Sequence, residues 1–271
     1  MVTKTTNKKF PQRFGFFTQL FAGGNLSSLY KHVGNVTDSG TNAGASSMNA
    51  ATTSQKSATE MSSPHRFAEP HPSAVSVIKR ALDVAGALVG LLSLSILFLP
   101  IAVLIKLDSP GPVFFRQERF GLQGKPFTIV KFRSMVQDAD RLKAVVPNEA
   151  KGLIFKNKQD PRVTRIGRFL RKTSLDEFPQ FWNVLMGEMS LVGTRPPTRD
   201  EVSQYEDRHW QRLNVKPGMT GEWQVSGRSA VKDFEEIVEL DLRYQHRWTP
   251  SYDLAIIWRT IGVLFTKSGA Y

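Results

Sequence analysis

The run VAGALVGLLSLSILFLPIAVLI, Val84–Ile105, is 22 residues without a charge. As a helix at about 1.5 Å per residue it would be about 33 Å long, which matches the hydrocarbon core of a bilayer. Pro100 stands inside it. A proline there removes one helical hydrogen bond and crowds the preceding turn, which predicts a kink. Both flanks are basic, with Lys79 and Arg80 before the run and Lys106, Arg116 and Arg119 after it. Basic flanks stay on the cytoplasmic side of a membrane. A single span would carry one flank across, whereas a kinked helix that enters and leaves the same leaflet keeps both in place. Composition leaves these two readings open, and a buried core helix of this length and purity is the poorest fit.

Upstream, residues 1–75 read as a separate arm. Gly34–Ser63 is rich in Ser, Thr, Asn, Ala and Gly with almost nothing to bury, so disorder is expected. The first acidic residue is Asp38, and Lys4, Lys8, Lys9, Arg13 and Lys31 are mixed with Phe10, Phe14, Phe16, Phe17 and Phe21. Such an arm suits a membrane surface, a transit peptide or a plain tail, and it lacks the apolar stretch of a secretory signal.

Over the whole chain, 271 residues allow one good core, and the net charge of +12 predicts an anionic partner: nucleic acid, a bilayer surface or a phosphorylated substrate. The absence of cysteine excludes disulfides, thiol nucleophiles and cysteine-based zinc sites. Downstream of the apolar run, PGPVFFRQERFGLQGKPFTIVKFRSM predicts two strands around a Gly121–Lys125 turn. Helical patterns follow near Ala139–Ala144, Ile166–Arg171, Phe178–Met189, Arg199–Arg212 and Asp233–Trp248, separated by proline turns at 160–161, 195–197 and 216–218. The final YDLAIIWRTIGVLF is apolar on a wide face, so it packs on the core or lies at a membrane interface.

The chemistry concentrates in SLDEFPQFWNVL, Ser174–Leu185. Ser174 and Glu177 have capping-box spacing, although Pro179 also allows Asp176 itself to be the cap. In either register Asp176 and Glu177 sit at a helix entrance, where the positive dipole end keeps a carboxylate ionised, as a nucleophile or metal ligand requires. Just upstream, Arg162, Arg165, Arg168 and Arg171 recur every third residue, followed by Lys172. On a helix this spacing is a basic stripe, and guanidinium forks match phosphate oxygens. Lys131 and Arg133 in KFRSM, Arg195 in GTRPPT and Arg228 in SGRS add further cations. Carboxylates beside clustered arginines point to Mg²⁺ and phosphates handled together. No GxxxxGK[ST] or GxGxxG cradle is present, and the basic residues fit no nucleic-acid reader, so no nucleic-acid partner is expected.

Residues 76–271 resemble the bacterial sugar transferases, the monotopic phosphoglycosyl transferases of the polyprenol-phosphate pathway. The resemblance is carried by KRALD, DSPGPVFFRQERFG, FTIVKFRSM, DPRVTRIGRFLRKTSLDEFPQFWNVLMGEMSLVGTRPP, VKPGMTGEWQVSGR and DLRYQHRWTPSYDLAIIWRTI, in that order. It implies a mostly helical α+β, membrane-associated fold: a re-entrant membrane helix over 76–108 hinged at Pro100, then a catalytic domain over 109–271 with a short β-hairpin and amphipathic interfacial helices. The preceding 75 residues are too short and polar for the four-helix region of longer members, so the short exopolysaccharide-initiating form is expected. Small members carry Ser before the hinge proline, where this chain has Leu99.

The implied activity moves a sugar 1-phosphate, glucose or galactose by preference, from a UDP-sugar to undecaprenyl phosphate at the cytoplasmic face of the bacterial inner membrane. Asp176 would be the nucleophile, forming a phosphosugar-aspartyl intermediate with release of UMP, and Glu177 its partner, with both at Mg²⁺. Lys131, Arg133, Arg171, Arg195, Asp253 and Arg228 would bind substrate. The partners implied are the UDP-sugar, the polyprenol phosphate and membrane lipid, and the resemblance is compatible with a homo-oligomer. The competing reading is a membrane-anchored homologue that binds or regulates without catalysis.

Overall fold

The computed structural model describes Phe67, residues 69–227 and residues 230–265. Most of the expected N-terminal arm, up to residue 66, lies outside the described residues, as does Arg228. The apolar run falls in one long helix. After a short helix α1 (Pro72–Val75), Ser76 caps α2 (Val77–Asp108) by accepting the Lys79 N–H at 3.3 Å. Helix α2 continues through Pro100 and stops before Pro110, because the residue preceding a proline is pushed out of the helical region. The Ser93 and Ser95 hydroxyls, within the apolar stretch, donate back to Val89 O (3.0 Å) and Leu92 O (2.7 Å), which satisfies them without water.

One stripe of α2 is buried: Lys79, Asp83, Ala87, Gly90, Ile101 and Ile105. The opposite side exposes Leu92, Ile96, Leu99 and Leu107, the last at 80%. By length and composition the helix is long and apolar enough to cross a membrane. Its first turns are fastened by polar contacts. Lys79 Nζ meets Asp253 Oδ2 at 2.6 Å, Arg80 donates to Val184 O and Leu185 O (2.8 and 2.7 Å), and Asp83 Oδ1 accepts from Ser190 Oγ and Leu191 N, both at 2.8 Å. Its far end is fastened as well. Asp108 Oδ2 accepts the Ile166 N–H at 2.9 Å, and Arg133 donates to Ser109 O (2.6 Å) and Pro110 O (2.7 Å). Both ends of α2 are therefore tied to the same folded unit.

The expected hairpin forms. Strands β1 (Phe114–Phe120) and β2 (Pro126–Phe132) are antiparallel, with Phe114 opposite Phe132 and Phe120 opposite Pro126. Its two faces are used differently, as the pleat requires. Phe114 and Phe132 stack with Phe98 of α2, while Ile129 packs with Ala87, Val184 and Met189 and Lys131 points along the same face toward the candidate site.

Helix α3 (Arg165–Lys172) begins at Thr164, whose Oγ1 accepts the Gly167 N–H at 3.0 Å. A Cβ at Gly167 would collide with the Ser134 carbonyl oxygen, so glycine is what lets α3 lie against the end of β2. The predicted helix Phe178–Met189 is shorter than expected: a 3₁₀ turn (Leu175–Gln180) containing Pro179 leads into α4 (Phe181–Met186), which ends at Gly187 with φ 84°. Ala139–Ala144 is likewise a 3₁₀ segment (Arg141–Val145).

Two strands went unpredicted. β3 (Ser190–Val192) and β4 (Gly218–Thr220) pair in parallel through Ser190 with Gly218 and Val192 with Thr220, and three residues are too few for alternation to show. The predicted helix 199–212 divides into α5 (Arg199–Val202), α6 (Asp207–Trp210) and a 3₁₀ turn, because Thr198 caps one start and the Glu206 N–H binds His209 Nδ1 (3.0 Å) at the next. Helices α7 (Glu222–Val225), α8 (Phe234–Arg247) and α9 (Pro250–Phe265) complete the domain. The last of these packs one face on the core. Asp253 and Ile256 are buried on one face, while Leu254, Trp258 (76% exposed) and Ile261 are presented outward.

Candidate active site

The 3₁₀ turn between α3 and α4 carries Asp176 and Glu177. Ser174, which enters the turn, is left-handed (φ 55°) and makes no side-chain cap bond, so the capping box expected from its spacing does not form. The Glu177 carboxylate turns instead to β2, where Lys131 Nζ approaches Oε1 at 3.0 Å. Asp176 is 8% exposed. A carboxylate this buried is costly unless cations face it. Arg171 supplies one: burial lowers its pKa, and the negative charges of Asp176, Asp160 and Glu177 act to raise it. Arg171 Nε is held by Ser134 Oγ at 2.9 Å, which aims the rest of the guanidinium.

The basic stripe is divided by the fold. Arg162 lies ahead of α3, is buried, and forks onto Asp160 through Nε (2.9 Å) and Nη2 (2.7 Å) with its guanidinium over Phe155, so it braces the loop. Arg165 and Arg168 are exposed on α3, and Arg171 lies where the Asp176 and Glu177 charges act on it. Arg195 forks onto Glu201 at 2.9 and 3.0 Å. Burial opposes the charge of Arg195, but Glu201 more than offsets it, so its pKa lies above the ordinary arginine value. Arg119 on β1, absent from the expected set, donates to Pro196 O (3.0 Å) and Gln117 Oε1. Burial, and secondarily the Arg195 charge, pushes its pKa down to about 10, while Glu201 and Glu177 pull it back. Lys131, Arg119, Arg171 and the two carboxylates thus share one electrostatic neighbourhood.

Two expected substrate-binding residues are engaged by protein partners. Arg133 is buried and directs its guanidinium to the backbone at the end of α2, as a cation placed at a helix C-terminus. Asp253 is buried among three donors, Lys79 Nζ (2.6 Å), Tyr244 Oη (2.8 Å) and Trp248 Nε1 (3.1 Å), where it anchors the start of α2. Pro100 is exposed within α2. Among the described residues no group of three or more His, Cys, Asp or Glu could form a protein-only metal cage. Asp176 and Glu177 are adjacent in the 3₁₀ turn, two carboxylates where such a cage needs more, and Mg²⁺ commonly completes its shell with phosphate oxygens and water.

Across the chain the order of these motifs has a counterpart: the model of a family described as bacterial sugar transferase matches residues 74–267. The chain belongs to this family. Among its relatives, a protein named galactosyl transferase CpsE from Streptococcus agalactiae is 48% identical over 72% of this chain and 43% of its own length. The undecaprenyl-phosphate galactose phosphotransferase of Salmonella typhimurium is 42% identical over 72% of this chain and 42% of its own. The exopolysaccharide production protein ExoY of Rhizobium meliloti is 39% identical over 80% of this chain and all of its own. This bacterial sugar transferase therefore spans about two-fifths of the first two relatives and is close in extent to the third.

Of the residues expected from the sequence, the fold brings Asp176, Glu177, Lys131 and Arg171 together, and it adds Arg119, Ser134 and Glu201 around them. The alternation of β1 offered a signal for Arg119, which lies on the Lys131 face of the hairpin. Glu201 had none beyond its place in a helix cap.

Proposed function

We propose that this chain transfers a sugar 1-phosphate from a UDP-sugar to a polyprenyl phosphate, undecaprenyl phosphate by analogy with relatives named for it. The observation that carries the reading is a buried Asp176 facing Arg171, on a domain tied to both ends of an apolar, membrane-length helix. In the first step an Asp176 oxygen attacks the sugar-linked phosphorus. The bond from that phosphorus to the bridging oxygen breaks, and UMP leaves. In the second step a phosphate oxygen of the lipid attacks the same phosphorus, the aspartyl P–O bond breaks, and a polyprenyl-diphospho-sugar is released with Asp176 regenerated. One phosphorus site serves both steps, so cations fixed around it stabilise both transition states. Arg171, on which the Asp176 charge acts, and Lys131, which holds Glu177 in position, are such groups. Mg²⁺ bound at Asp176 and Glu177 would neutralise charge on the diphosphate.

Tethering of both ends of α2 to one domain supports the re-entrant reading, with the catalytic unit on the cytoplasmic side and the exposed Leu254, Trp258 and Ile261 row of α9 lying in the interface. Cysteines introduced at positions 75 and 110 of this cysteine-free chain should label from one side only; labelling from opposite sides would establish a span. The activity is tested by UMP release from UDP-glucose and UDP-galactose in membranes with Mg²⁺ and undecaprenyl phosphate. A purified chain that releases no UMP from any common UDP-sugar overturns the proposal.

A further inference from the structure

The 3₁₀ turn that carries Asp176 and Glu177 ends on Gln180, whose side chain lacks what its neighbours have. Gln180 is 3% exposed, and its Nε2 is shut off from solvent with no hydrogen-bond partner. A buried donor left without a bond is costly, and native proteins keep few of them. The residues on either side in its row are both satisfied by β2. Glu177, three residues earlier, meets Lys131 Nζ at 3.0 Å. Asn183, three residues later on α4, accepts the Val130 N–H at 3.3 Å and donates to Thr128 O at 2.8 Å. Side chains three apart eclipse in a 3₁₀ turn and remain neighbours on the helix that follows, so Gln180 stands between these two contacts on the side packed against β2. At about 2 Å of rise per residue its backbone is about 6 Å along the turn from Glu177 and about 8 Å from Asp176.

We infer that the Gln180 amide donates to a non-bridging oxygen of the phosphoryl group as it moves onto and off Asp176, an acceptor that arrives only with substrate. The inference rests on the two-step transfer proposed above and adds one group to it. Lys131 and Arg171 supply charge, whereas a neutral amide supplies direction without holding the anionic leaving group more tightly. A donor already dehydrated and fixed in the turn needs no solvent reorganisation when the phosphoryl oxygen reaches it, the condition under which such a donor is most effective. Gln180 itself makes and breaks no covalent bond and carries no proton away.

The test is Gln180→Met in the full chain in detergent, because methionine keeps the length and nearly the volume of glutamine and removes only its polar end. With undecaprenyl phosphate, Mg²⁺ and whichever of UDP-glucose and UDP-galactose supports UMP release, kcat should fall about a hundredfold while the KM for the UDP-sugar stays within about threefold. Thermal unfolding without substrate should occur at the same or a higher temperature, because the variant removes a polar group that the resting protein leaves unpaired. An amide that merely braces the turn predicts the reverse, a lower melting temperature. A kcat within about threefold of the wild type, a loss confined to KM, or melting lowered by several degrees overturns the assignment. With the lipid withheld, Gln180→Met should trap labelled phosphosugar about a hundredfold more slowly than the wild type, and labelling at the wild-type rate also overturns it. A wild-type chain that releases no UMP defeats the transferase reading itself, whereas an active wild type with an equally active Gln180→Met defeats the role of Gln180 alone.

Discussion

Asp176→Asn is expected to lower turnover at least about a thousandfold, equivalent to about 4 kcal/mol of lost transition-state stabilisation. The amide keeps the size and most of the shape of the carboxylate, so the turn between α3 and α4 should persist, but a neutral amide oxygen does not displace UMP. The diagnostic measurement is trapping of labelled phosphosugar on the protein when the lipid is withheld. Wild-type protein should carry the label and Asp176→Asn none. Its fold is checked by thermal unfolding, because Asp176 is buried against Arg171 and a variant that merely unfolds would mimic the result. A folded Asp176→Asn protein that still traps the label would remove Asp176 as the nucleophile.

The second large effect is expected from Asp253→Ala, and it is one of stability. Asp253 is buried with Lys79, Tyr244 and Trp248 as its donors. Removing one partner of a buried pair leaves the other charge without compensation, at a cost of about 3–5 kcal/mol. For a domain of this size that corresponds to a melting point lower by roughly 6–20 °C. The doubly apolar Lys79→Met, Asp253→Leu variant should recover much of the loss, since a buried pair replaced as a unit is often neutral. If Asp253→Ala melts like the wild type and has lost activity, Asp253 acts on substrate, and the anchoring role derived from its contacts is wrong.

The contrast between Asp253 and Lys131 shows what the sequence could convey. Both stand in motifs that resemble the family, and both were expected to meet substrate. Lys131 lies on the alternation of β2, so once the hairpin is recognised its face follows from the period-2 pleat, and it does meet Glu177. Asp253 lies on a helix whose apolar pattern says which face is buried but not what is buried beside it. Its partner Lys79 is 174 residues away in sequence. Arg133 and Arg162 show the same difficulty: an arginine in a basic cluster looks alike whether it faces a ligand, a carboxylate or the end of a helix. Ser174 failed differently, because capping-box spacing presumes an extended entry and here the chain enters left-handed.

From the sequence alone came the long apolar helix with its basic flanks, the β-hairpin and its turn, the carboxylate pair and the family, because each is written in local periodicity, charge or contiguous motif. Only the tertiary structure decided which cations face Asp176, that Arg133 and Asp253 secure opposite ends of α2, and that Arg168, Arg171 and Lys172 wall one cavity. Those outcomes depend on pairings between distant segments. The energy of a buried charge is set by whatever partner the fold brings within about 3 Å, and no local pattern encodes that.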